Sequence, residues 1–239
     1  LFVWMGEILF RTKLSENLFE GLAPWLQKLP GGLIHVNVVG CALFAAISGS
    51  SAATVATVGK MSIPELRKRK YPEKILLGSL AGSGTLGLLI PPSIILIIYG
   101  VTVQESIAKL FIAGIIPGIM IALIFMGYVI VWSLLNKNKM PTNYENFSFL
   151  NKLSKSKQLI PVILLILGVI GSIYTGIATA TEAASLGVVG ALILSYFQKS
   201  LTLKTFKDSL LGATKTSCMI AFILAGATFL SLAMGFTGL

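Results

Sequence analysis

Charge is scarce in this sequence. Only 12 % of its 239 residues are Asp, Glu, Lys or Arg, where a soluble domain carries about 25 %. Acid is scarcer still, with 9 Asp and Glu against 19 Lys and Arg. A single histidine, His35, excludes a multi-histidine metal centre. The two cysteines, Cys41 and Cys218, stand too far apart to suggest a disulfide framework or a zinc spacing. What fills the chain is apolar: 55 % of residues are hydrophobic and the mean hydropathy is +0.87. That composition excludes a soluble globular protein and a disordered chain. The net charge of +10 does not indicate a nucleic-acid binder, because in so apolar a chain a basic excess marks the cytoplasmic side of a membrane protein. The first residue is Leu1, and no secretory n-region or small-residue cleavage site precedes the first apolar run. The sequence is therefore expected to be an internal piece of a longer polypeptide.

A spanning helix needs about 20 mostly apolar residues. Residues 75–99, 107–135, 159–174 (short) and 213–239 qualify, and 178–197 becomes apolar after Ala183. Residues 1–10 read as the tail of a further helix. Residues 31–59 are apolar enough to enter a bilayer, but their centre is Ser48-Gly49-Ser50-Ser51. Small hydroxyl residues compete for backbone hydrogen bonds and glycine is flexible, so this is a poor helix centre.

Charge orients these segments. Of the 19 basic residues, 18 fall in four stretches: three in 11–30, six in 60–74, five in 136–158 and four in 198–215. The remaining one is Lys109. All four stretches are expected in the cytoplasm. Segment 31–59 then has basic flanks on both sides. It satisfies them by entering and returning as a re-entrant hairpin with its tip at residues 48–51; a single span is the competing reading. Each arm would be about 13 residues, roughly 20 Å of helix, which passes the bilayer middle without crossing.

A second interruption is expected inside 75–99. The run Gly82-Ser83-Gly84-Thr85-Leu86-Gly87 precedes Ile90-Pro91-Pro92-Ser93. Proline lacks an N–H and disfavours helix in the residue before it. The helix should stop near Gly87 and restart at Pro91 or Pro92, unless the prolines only kink it. Broken helices free carbonyls at one half-helix end and N–H groups at the other. The carbonyl ends attract a small cation, the N–H ends an anion. Ser48, Ser50, Ser51, Thr54 and Ser93 would add hydroxyl oxygens. Midplane sites of secondary transporters are built in this way.

Four runs now stand in order: AAISGSSAATVATVG at 45–59, GTLGLLIPPSIILIIYG at 84–100, SIAKLFIAGIIPG at 106–118 and GIATATEAASLG at 176–187. Together they resemble the large membrane (M) subunit of tripartite ATP-independent periplasmic (TRAP) transporters. The resemblance implies an all-α, multi-span protein of the bacterial inner membrane, with a re-entrant hairpin and broken helices working as an elevator. It implies sodium as the coupling ion, no organic cofactor, and uptake of an organic acid such as a C4-dicarboxylate or sialic acid. The implied partners are a small membrane subunit and a periplasmic substrate-binding protein. The family's first sodium site falls on Ser48, Ser50, Gly87, Ile90 and Pro92, leaving Ser51, Thr54 and Ser93 for substrate. Its second hairpin and second Pro-Pro break have no counterpart in these 239 residues. The expected division is a membrane-helix end and amphipathic connection at 1–30, a transport unit at 31–106, and further membrane helices at 107–239.

Other residues carry open alternatives. Glu182 is either a functional acid at membrane depth or a cap after Thr179 and Thr181. His35 is expected to be packed or interfacial rather than a proton carrier. Glu7 either pairs with a neighbour or faces a cavity, and the run Arg67–Lys70 is read as a topology signal and lipid head-group contact. An intramembrane serine hydrolase using Ser50 would need His35 as its base; a gated channel is the other competing class. Topology is open to a direct test. In spheroplasts carrying a version freed of Cys41 and Cys218, Lys68→Cys should resist an impermeant thiol reagent applied from outside. Labelling there would remove the case for a hairpin.

Overall fold

The computed structural model describes residues 1–12, 14–141 and 149–237; residues 13, 142–148, 238 and 239 of the stretches above lie outside it. Every element among the described residues is helical. Segment 1–10 forms α1 (Phe2–Phe10), and the amphipathic connection contains α2 (Leu14–Leu26). Two helices follow, α3 (Ile34–Ser48) and α4 (Ser51–Lys68), joined only by Gly49 and Ser50. This is a helix hairpin, and the turn falls where the serine-glycine run placed it. Its two ends stay together, because the Leu33 N–H donates to the Tyr71 hydroxyl at 3.0 Å. The basic flanks on either side of the hairpin therefore share one end of it.

The arms are longer than expected, at 15 and 18 residues. Helix α4 continues through the basic stretch, where Arg69 pairs with Glu65 one turn back at 2.7 Å. Arg67 and Lys68 lie in its last turn, where cations complement the helix dipole.

Next comes the interruption. Helix α5 (Glu73–Gly84) tightens into a 3-10 turn at Thr85–Leu88, and α6 (Ile94–Thr102) resumes beyond the prolines. The restart comes later than the expected Pro91 or Pro92. Ser93 is extended, with ψ 132°, and serves as the residue before the first helical turn. The helix is interrupted as expected, and the competing reading of a helix merely kinked by the prolines is not what forms. Helix α7 (Ile107–Leu135) matches its expected span, as does α9 (Ile160–Tyr174) to within one residue. Between them lies the short α8 (Phe149–Ser156), and α10 (Ala180–Phe197) follows α9. Helix α11 (Leu203–Thr237) begins ten residues before the expected 213. The Thr202 hydroxyl accepts from the Thr205 N–H at 3.0 Å and so caps it, drawing Lys204 and Lys207 into helix.

Helices α3, α4 and α5 pack on one another, with Asn37 Nδ2 of α3 donating to the Leu76 carbonyl at 3.2 Å and the Ser79 hydroxyl at 3.0 Å on α5. Helix α1 lies across α3, α10 and α11. Met5, Ile8, Phe44, Ile47, Leu76 and Phe111 form part of the buried core. Helices α7, α10 and α11 are each long and apolar enough to cross a membrane. Large apolar side chains point outward along α11, Phe222 and Phe236 being 83 % and 91 % exposed.

Glu182 resolves as a cap. Its carboxylate accepts from the Thr179 N–H at 2.8 Å, and the Thr179 hydroxyl accepts from the Glu182 N–H at 3.4 Å, a reciprocal capping box on α10. Glu7 pairs with Arg11 at 3.2 Å, one turn along α1. For the capping box, Thr179→Ala should cost about 1 kcal/mol, read as a lower unfolding temperature in detergent. Glu182→Gln preserves the acceptor and should remain near the wild type; an equal loss from Glu182→Gln would show that the charge does more than cap.

Candidate functional site

The hairpin tip docks on the helix break. Gly49 has φ +59°, a left-handed conformation that glycine adopts without a Cβ penalty. Its carbonyl oxygen accepts from the Ile94 N–H at 3.2 Å, so the tip supplies a partner to the first N–H of α6. A Cβ on Gly49 would stand 2.5 Å from the Pro92 carbonyl oxygen. On the other side, a Cβ on Gly87 would stand 2.9 Å from the Ser51 nitrogen and 3.0 Å from the Ser50 carbonyl carbon. Ser48, Ser50, Gly87 and Pro92 are thus brought together by backbone contacts between two segments about 40 residues apart in sequence. Ile90 sits in the same loop, but its side chain turns away, toward Gly118 of α7.

Hydroxyls line the tip. Ser48 Oγ lies 3.0 Å from Thr54 Oγ1 and 3.3 Å from the Ser50 carbonyl oxygen, which also accepts from Thr54 Oγ1 at 2.8 Å. Ser50 caps α4, accepting from the Ala53 N–H at 3.4 Å. Ser93 Oγ donates to the Leu88 carbonyl at 2.7 Å across the break. Of the three serines and threonines expected to face substrate, Thr54 and Ser93 are buried and already bonded within the protein. Ser51 Oγ is buried and has no hydrogen-bond partner. Among the described residues no group of three or more His, Cys, Asp or Glu converges, so the oxygens here are hydroxyls and carbonyls.

Four glycines hold this arrangement that the sequence reading did not assign to the site. Gly49 supplies the carbonyl. Gly6 of α1 lets that helix approach the tip, since a Cβ there would stand 2.7 Å from Ser48 Cα. Gly114 and Gly118 of α7 face the break, where Cβ atoms would stand 2.6 Å from the Leu89 carbonyl oxygen and 2.9 Å from Ile90 Cγ1. The small-xxx-small spacing of Gly114 and Gly118 was a readable signal of close helix approach; Gly6 carried none. The hydrolase reading loses its base. His35 is buried with Nε2 2.8 Å from the Pro30 carbonyl oxygen, at the opposite end of α3 from the tip, about 20 Å away at helical rise.

The whole chain, residues 1–239, matches the family described as tripartite ATP-independent periplasmic transporter, DctM component. The chain belongs to this family. It is 34 % identical over 227 residues to the C4-dicarboxylate TRAP transporter large permease protein DctM of Pseudomonas aeruginosa, covering 95 % of this chain and 52 % of that one. To the protein of the same name from Rhodobacter capsulatus it is 32 % identical over 253 residues, covering 100 % and 57 %. To the sialic acid TRAP transporter large permease protein SiaM of Vibrio cholerae it is 34 % identical over 234 residues, covering 95 % and 53 %. The chain spans about half the length of these curated relatives. As a DctM-family chain with three helices fit to span, it is a multi-pass membrane protein.

The geometry of the DctM-type tip gives a sharp mutational contrast. Gly49→Ala forces a left-handed alanine against Pro92 and should cost about 1–3 kcal/mol or more, read from thermal unfolding in detergent. Gly127→Ala, on α7 with nothing near its added Cβ, should be neutral or slightly stabilising. Equal behaviour of the two variants would contradict the tip-to-break contact.

Proposed function

We propose that this chain is part of the sodium-coupled permease of a TRAP transporter in the bacterial inner membrane. The observation that carries the proposal is the docking of the hairpin tip on the broken helix, through the Gly49 carbonyl and the Ile94 N–H. In this reading the hairpin is re-entrant, and its tip lies near the bilayer centre. Support comes from α7: the break packs on Gly114 and Gly118, which lie roughly 10–17 Å along that helix from its start, about half of a 30 Å hydrocarbon layer.

The residues fit a small hard cation. Ser48 and Ser50 offer hydroxyls, and Gly87, Ile90 and Pro92 offer carbonyls, all oxygen donors of the kind alkali and alkaline-earth ions prefer. Sodium bound there would join tip to break and so couple ion occupancy to the position of the hairpin. Ser51, with its unpartnered buried hydroxyl, stands as the substrate contact of this half-site, ahead of Thr54 and Ser93. Residues 31–106 would move as the transport unit past helices of 107–239, in an elevator cycle completed by chain outside these 239 residues.

The substrate class is a small organic acid or zwitterion, delivered by a periplasmic binding protein. Relatives named for C4-dicarboxylate, sialic acid, isethionate, and ectoine with 5-hydroxyectoine frame it. A small membrane subunit completes the complex. The isethionate permease DctMQ and the sialic acid permease SiaT, of which this chain covers 36 % and 37 %, are long enough to carry such a segment on one polypeptide.

Uptake against sodium concentration tests the site in the full-length permease with its partners. Ser48→Ala or Ser50→Ala removes one oxygen at almost unchanged volume. Loss of a bond to a charged group, about 1.5–3 kcal/mol, should raise the sodium midpoint roughly 10- to 150-fold. Substrate affinity should recover as sodium is raised. Ser133→Ala, on the far half of α7, is the control. Unchanged midpoints in both tip variants would make the tip a packing element and discard the site.

A further inference from the structure

The closed tip of the hairpin faces the site, while the stretch from the middle of α4 to its open end and the start of α5 carries six of the 19 basic residues, within 60–74. The structure sorts these six by type. Arg67 donates to both carboxylate oxygens of Glu73, at 2.6 and 3.2 Å, and Arg69 donates to Glu65 at 2.7 Å. These are the only two acids of the stretch. The hydrogen bond from Arg67 draws the Glu73 carboxyl below the usual carboxylate range, so it remains ionised and paired. The two arginines thereby neutralise the acids, and the Arg67–Glu73 pair ties the end of α4 to the start of α5. Lys60, Lys68, Lys70 and Lys74 are all exposed and make no ion pair among the described residues. Arginine's planar fork suits fixed carboxylates, whereas lysine is a mobile point charge on a flexible stem.

Depth places these lysines. From Ser51 to Lys68, α4 rises about 26 Å. A bilayer measures about 40–45 Å with its headgroups, so a tip near the centre puts Lys68 and Lys70 at or just beyond headgroup level. Lys60 lies about 14 Å from the tip, at the edge of the hydrocarbon, within a stem's reach of the headgroups. Leu77, one turn into α5 beyond Lys74, is 43 % exposed. Exposed apolar surface therefore begins directly inside the charged rim.

We propose that the open end of the hairpin is a docking surface for anionic phospholipid headgroups, taken by Lys60, Lys68, Lys70 and Lys74 on a frame braced by Arg67 and Arg69. The surface rests on the re-entrant placement given above and adds a lipid partner to it. Uncompensated charge at headgroup level attracts anionic lipid with a strength worth roughly fivefold per lysine, weakened by salt.

The test uses the full chain with Cys41→Ala and Cys218→Ser, carrying a bimane fluorophore on Leu77→Cys, in nanodiscs. Acyl-brominated phosphatidylglycerol and acyl-brominated phosphatidylcholine are compared as quenchers at equal mole fraction. Phosphatidylglycerol should quench more strongly, with a local enrichment of about fivefold or more. That preference should collapse in high salt and in the combined Lys68→Gln, Lys70→Gln, Lys74→Gln variant. It should survive Lys199→Gln, Lys204→Gln, Lys207→Gln, with circular dichroism confirming helix content in each protein. Equal quenching by the two lipids, or a preference that persists in the first triple variant, overturns the lipid surface while leaving the hairpin placement intact. Absence of quenching by either lipid overturns that placement, and the lipid surface with it.

Discussion

A backbone that stops being helical inside an apolar layer leaves polar groups that water does not reach, and each has to find a partner in the protein. The core of this structure answers that constraint twice with one contact. The hairpin turn at Gly49–Ser50 frees a carbonyl, the break before Ile94 frees an N–H, and each satisfies the other at 3.2 Å. Three of the other carbonyls near the two interruptions are met locally. Thr85 Oγ1 donates to the Gly82 carbonyl, Ser93 Oγ to the Leu88 carbonyl, and Thr54 Oγ1 to the Ser50 carbonyl. The prolines help by having no N–H to satisfy.

Backbone-to-backbone contact requires small residues, and this requirement explains where glycine falls. Gly49 and Gly87 let the two interruptions touch, Gly6 brings α1 to the tip, and Gly114 and Gly118 seat the break on α7. The site that results contains hydroxyls and carbonyls without a charged side chain among its assigned residues. In the proposed reading, hard neutral oxygens of this kind would hold a small cation without fixing it permanently, and its binding would alter the fit between the two segments.

Charge is organised at the other end of the hairpin. The Leu33–Tyr71 hydrogen bond holds the hairpin ends together, so Lys28 before α3 and the Arg67–Lys70 run at the end of α4 lie on one side. Within that run the arginines brace and the lysines project. The polar tip and the basic end are separated by the length of α4, and the buried face between them is apolar apart from residues such as Asn37, which bonds to α5.

The sequence by itself determined the helical class, the apolar helices at 107–135, 159–174 and 178–197, the turn at residues 48–51 and an interruption between the Gly82–Gly87 run and the two prolines. These are local matters, set by apolar run length, serine-glycine composition and the missing N–H of proline. It also carried the four runs by which the DctM family is legible. Element ends were less legible. Helix α4 runs on to Lys68, with Arg69 just past its end pairing back to Glu65, and α11 starts early because Thr202 caps it. The restart at Ile94, rather than at a proline, depends on a carbonyl from a segment 45 residues earlier. Tertiary structure alone decided that the Gly49 carbonyl meets the Ile94 N–H and that Gly6 belongs beside Ser48. The reason is physical: a residue's type states what it is able to bond, but only the packing of distant helices states what stands within 3 Å of it.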